Sequence, residues 1–347
     1  MTSGFLVLGE FLSLVFLAGI AKAALVTGAI YVLFPELGAL AYDVFTRPAG
    51  VWARAPVMLA VTPTIAALIG TAVAHSLPYG PVPVALCIAS AMLVIRILRS
   101  PVAPAISAGF LPLALGVTSW WYPVSIAAVT VLLGALSVTY RHIVAARLRS
   151  APRVIDDAID DELESTPQRY VWVPVFVGFL LLTYGIGAVT GLRLILFPPL
   201  VVIAFEMFAH ADVCPWARRP FFLPLACSIT AAVGVLAVSV FGVGPLSVIV
   251  ALLAGIAALR TFGLHMPPAL AIGLLPQVIP HTDQTFVIAV AIGTFTLTGA
   301  FFAHAAGAVG SLRYGKFRLE VSPGDDVLAL TVRSCVLSRH RSARPKL

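Results

Sequence analysis

The sequence predicts an all-α fold, a polytopic transmembrane helical bundle built from two parallel, pseudo-symmetric repeats whose helices are broken or cut to half-span by proline. Three observations predict it. Of 347 residues, 60% are hydrophobic and only 11% charged, with a mean hydropathy of +1.02, too few polar residues for the shell of a soluble domain. Apolar runs recur almost end to end, each long enough at ~1.5 Å per residue to cross a hydrocarbon core ~30 Å thick. The chain also matches itself at a shift of 163 or 164 residues.

Helices follow from the apolar runs because backbone groups in lipid must be satisfied within the segment. The alternation expected of an outer-membrane barrel is absent from the sequence. The first run has no basic leader or cleavage site and reads as a retained span.

The internal match is detailed. Leu33-Phe34-Pro35 falls on Leu196-Phe197-Pro198, and Asp43-Val44-Phe45 on Glu206-Met207-Phe208. Trp52-Ala53-Arg54 falls on Trp216-Ala217-Arg218, Gly80-Pro81 on Gly244-Pro245, and Arg96 on Arg260. Pro104, Gly109 and Pro112 fall on Pro268, Gly273 and Pro276. The organisation expected is a first transmembrane repeat over 1–140, a charged linker over 141–169, a second repeat over 170–310 and a basic tail over 311–347. Proline removes an N–H and pushes its predecessor away from helix, so segments should start or break at Pro35, Pro104, Pro198 and Pro267. Each half then has either four full crossings with short half-helices or six crossings.

The formal charge is +7, and 13 of the 22 Lys and Arg lie in the linker and the tail. That clustering fits the positive-inside rule better than nucleic-acid binding, which is not expected. With linker and tail on one side, parity places both termini on the cytoplasmic face of a bacterial cytoplasmic membrane, and the repeats run parallel. The lipid bilayer is the expected surrounding partner, and association into a homo-oligomer is compatible with this reading.

Pro-Pro-Ala-Leu-Ala at 267–271, Leu-Phe-Pro-Pro-Leu at 196–200 and the arginine after the loop prolines resemble the HPP family of integral membrane proteins. That family is typically a single four-span unit, so this chain resembles two units fused over roughly 5–140 and 170–307. Met266 stands where the family has its histidine, with His265 one place earlier, and the first half reads Val102-Ala103-Pro104. The resemblance implies a transporter or channel for a small inorganic anion, nitrite-like, with a path near the contact between the repeats. The alternative is a non-transporting scaffold or sensor acting through linker and tail.

An anion path needs positive potential: helix N-termini, backbone amides and a few cations. Pro104, Pro267 and Pro268 would start helices whose free N–H groups face a shared hollow, and Gly109 and Gly273 would let backbone approach the solute or a neighbouring helix. Arg96 and Arg260 close apolar spans beside these segments, and His265 lies in the second; with them they form the expected substrate site. Arg54 and Arg218 beside their tryptophans could draw anions or simply anchor the interface. Asp43 and Glu206 are matched acids, candidates for proton carriage in the pathway or for structural ion pairs. His210, Asp212 and Cys214 are too few for zinc, so no metal is expected. No nucleotide-binding or hydrolase motif occurs, so neither cofactor nor enzymatic activity is expected.

Overall fold

A computed structural model of the chain describes residues 3–150, 170–280 and 283–311. The linker from 151 to 169 and the tail from 312 onward lie outside the described residues. Among those described there is helix and no strand. Eight helices are long and apolar enough to cross a membrane.

The first half comprises α1 (Ser3–Thr27), α2 (Leu37–Thr46), a single turn α3 (Val51–Arg54), α4 (Pro56–Ser76), α5 (Pro81–Leu98), α6 (Ala105–Leu115) and α7 (Trp121–Ser150). In the second follow α8 (Val173–Thr190), α9 (Pro198–Ala209), α10 (Phe222–Phe241), α11 (Pro245–Phe262), α12 (Pro268–Leu274) and α13 (Gln284–Ser311). The last of the first-half helices, α7, continues through Ser150 into the region read as linker.

Proline and glycine punctuate these helices. Pro56, Pro81, Pro198, Pro245 and Pro268 stand in first turns, where their missing N–H costs nothing. Gly191 and Gly263 end α8 and α11 in the left-handed conformation that glycine adopts without a Cβ clash. Arg99 ends α5 in the same conformation, with φ of 48°.

Four helices are too short to cross alone. At ten residues, α2 reaches ~15 Å, half of a ~30 Å core. It nonetheless returns the chain to the end from which α1 set out: Gly9 of α1 packs on the Phe45 carbonyl, and Phe45 meets Tyr140 near the end of α7. In each half four of the described helices are long and apolar enough to cross, and in the first half α2 makes a return between two of them.

Within each half one span is the hub. In the first, α4 packs on α5, α6 and α7; in the second, α10 packs on α11, α12 and α13. Glycine permits the tightest of these contacts. A Cβ at Gly70 of α4 would collide with the Gly109 carbonyl of α6, and one at Gly234 of α10 with that of Gly273 in α12. The halves meet through α1 on α11, α2 on α12 and α6 on α9. The starts of α1 and α8 lie at the same end: Tyr170, just before α8, meets Arg96 at the end of α5, Trp52 bonds the Pro101 carbonyl just beyond it, Arg141 bonds the neighbouring Ala53 carbonyl, and Tyr140 stacks on Phe5 of α1.

Two outcomes test this packing in detergent-solubilised protein. Gly70→Ala and Gly234→Ala should each lower unfolding free energy by roughly 1–3 kcal/mol through overpacking against rigid backbone, whereas Gly19→Ala, inside α1 with open space around it, should raise it by up to about 1 kcal/mol. Arg99→Gly should raise stability by about 1 kcal/mol by removing the left-handed strain.

Candidate functional site

Every residue of α2, of α6 from Ala105 to Ala114 and of α12 is buried, as is α9 from Pro198 to Phe208. The four short helices therefore form the centre of the bundle, where interrupted backbone is tolerated in a membrane. Neither of the two cavities described below is lined by α6 or α12. Their leading N–H groups are occupied as well. Ala105 and Ile106 donate to the carbonyls of Val102 and Ala103, Ala108 donates to Pro104, and Ala269 and Leu270 donate to Met266 and Pro267. Tight turns ahead of each helix supply acceptors that spacing alone does not reveal. Pro104, Pro267 and Pro268 serve here as helix starts, and Gly109 and Gly273 as seats for neighbouring glycines.

Charged groups gather at the end of the bundle where α1 starts. Arg260, closing α11, places Nη2 2.6 Å from both carboxylate oxygens of Glu10 on α1, joining the halves. Glu10 is buried, whereas the Arg260 side chain is 51% exposed. Tyr42 of α2 lies within electrostatic reach of Glu10, Arg260 and Asp43, and its ring stands 6.5 Å from that of His265. Asp43 holds Arg47 at 2.8 Å one turn on, both buried. One cluster thus contains Asp43, Arg260 and His265 of the expected residues.

In the second half Glu206 and His210 have the same i, i+4 relation on α9, and both are buried. Cys214, fully buried, lies within reach of Glu206 and Arg218, and burial pushes its thiol well above the ordinary range. Arg54 is exposed at the end of α3, while Arg218 sits 3.5 Å from the Asp212 carbonyl. Trp52 donates from its indole to the Pro101 carbonyl at 2.8 Å, pinning the loop before α6. Among the described residues no three His, Cys, Asp or Glu side chains converge as metal ligands would.

Arg96 does not join the cluster. It reaches Tyr170 at the start of α8, donating to the phenol oxygen with its guanidinium 4.9 Å from the ring centre. Beside it a cavity of about 410 Å³ separates α5 from α8. A smaller one, about 210 Å³, lies at the opposite end around Tyr79, Gly187 and Arg193, whose guanidinium stacks 3.9 Å from the Tyr79 ring.

One residue escaped the sequence reading. Glu36, immediately after Pro35, is 1% exposed and accepts a hydrogen bond from Ser107 of α6. Its second oxygen has no partner among the described residues. Tyr122 is in electrostatic reach, its hydroxyl held at 2.9 Å by the Ala108 carbonyl. Pro199 and Ala271 occupy the matching places in the second half, so this carboxyl belongs to the first alone. An acid set in an apolar run directly after a helix break was the available signal.

No family model matches the chain, and no curated protein or solved structure is similar to it.

Removing the Ser107 hydroxyl leaves Glu36 without its donor. Ser107→Ala should cost roughly 1–3 kcal/mol of stability, while Glu36→Met, of similar size and with nothing to desolvate, should gain about 1 kcal/mol. Denaturant or thermal unfolding in detergent reads both.

Proposed function

We propose that this integral membrane protein is a secondary transporter for a small inorganic anion, nitrite-like, moving it along the contact between the two halves. One observation carries the reading. Three carboxyls, Glu36, Asp43 and Glu206, each at most 2% exposed, lie on or just before the proline-led helices α2 and α9, which meet the opposite half. Ionisable groups kept inside a membrane bundle are costly, and they mark ion and proton pathways.

The solid packing of the short helices argues for a transporter whose path opens by movement rather than for a standing channel. Rocking of one half against the other would separate α1 from α11, so the Glu10–Arg260 pair is its natural latch. Proton binding at the buried carboxyls would offset the charge of an anion passing them. The nitrite-like substrate comes from the HPP resemblance and from the arginines at one end, with Arg260 nearest the carboxyls. Arg47, Arg54, Arg96, Arg141, Arg219 and Arg260 share that end with the start of α1, which by the positive-inside rule faces the cytoplasm.

A second reading is favoured by the same solid core: a membrane scaffold or sensor that moves no solute and works through its linker and tail.

Nitrite entry into vesicles containing the purified full chain separates the two. A transporter gives entry at least tenfold above protein-free vesicles, lost in Glu36→Met and in Arg260→Ala and restored when Arg260→Glu is combined with Glu10→Arg. Entry no faster than in empty vesicles, for nitrite and for other small anions, would sink the transport reading.

A further inference from the structure

The two outer seams between the halves are built alike in sequence and closed differently. At one, α1 packs along α11 and Glu10 neutralises Arg260. At the other, the matching arginine, Arg96, finds Tyr170 of α8, and no carboxylate among the described residues pairs with it. There α5 and α8 stand apart, leaving the 410 Å³ cavity. Its walls are apolar from Pro81 to Ile95 on α5, with Phe176, Leu180 and Tyr184 opposite. From Pro81 to Arg96 the groove runs ~22 Å at 1.5 Å per residue, more than the ~15 Å of a single leaflet's hydrocarbon.

None of the residues lining it is acidic. Arg96 and the Tyr170 hydroxyl are joined by Trp172, which lines the same cavity and is 6% exposed. The Trp172 indole N–H has no acceptor among the described residues. Arg99, three residues beyond Arg96, adds a second exposed cation.

We propose that this seam is a binding site for an anionic phospholipid, its phosphate on Arg96 and one acyl chain along the groove between α5 and α8. Charge complementarity selects this occupant. The headgroup supplies the anion that Glu10 supplies at the other seam, and a guanidinium suits phosphate oxygens. The apolar trough takes the chain as the packed face of α1 covers α11. The site is independent of the transport reading, because its test measures bound lipid and not flux.

The full chain in detergent is titrated with dioleoylphosphatidylglycerol or dioleoylphosphatidylcholine, and retained lipid is counted by native mass spectrometry. Wild type should hold one phosphatidylglycerol at least tenfold more tightly than phosphatidylcholine. Arg96→Ala should abolish that preference and Arg96→Lys should keep part of it. Ala89→Trp, which fills the trough with the arginine intact, should displace both lipids, and unfolding temperatures confirm that each variant is folded. Undiminished preference in Arg96→Ala, or retention surviving Ala89→Trp, would overturn the site. So would oleate binding as tightly as phosphatidylglycerol, or cross-linking of two chains through Ala89→Cys in place of lipid.

Discussion

The architecture follows from one constraint: in hydrocarbon there is no water to satisfy a backbone group that the helix itself leaves free. Prolines at 35, 104, 198 and 268 create such interruptions, and the bundle answers by enclosing every interrupted segment. Among the described residues eight long helices form the wall, and α2, α6, α9 and α12 are buried within it over almost their whole length. Small residues allow that enclosure, because α4 and α10 can touch the backbone of α6 and α12 only where Gly70 and Gly234 carry no Cβ. With little hydrophobic difference between lipid and protein interior, such close packing is what holds membrane helices together.

Local physics was legible in the sequence; partnership over distance was not. Proline restricts its own and the preceding residue, so the starts at Pro198 and Pro268 could be read directly. The spans could be read as well, since length and hydropathy decide them. The anion cradle could not. It depended on where the first N–H groups of α6 and α12 find acceptors, and those turn out to be carbonyls three or four residues away. Glu10 and Arg260 are separated by 250 residues, and Ser107 and Glu36 by 71. Nothing in either local sequence announces the other member. Gly109 and Gly273 were read as places where backbone nears the solute or a neighbouring helix, and a neighbouring helix does come close there.

The halves share an order of elements while diverging at their polar positions. Asp43 has Glu206 as its match, and Arg47 has His210, so an ion pair in one half faces a titratable pair in the other. Glu36 has no match, nor does the Glu10 carboxylate that closes one seam. The two halves thus share an apolar frame, where volume and backbone contacts leave little freedom. Their charges differ, and with them the chemistry at the two seams. The arginine at the end of α5 and the one at the end of α11 occupy matching places and have different partners.

The burial of α2 also bears on how the chain is made. Ten residues are too short to be held across a bilayer alone, and one face of α2 is covered by the second half, where Leu274 of α12 and Leu252 of α11 sit against Gly38. While the ribosome is still translating the second half, that face has no protein neighbour. The first half therefore waits in the membrane as an unfinished shell. It reaches its final form only after residues 268–274 have been threaded into its centre, which makes late assembly, rather than insertion of single spans, the step at which this protein is most open to quality control.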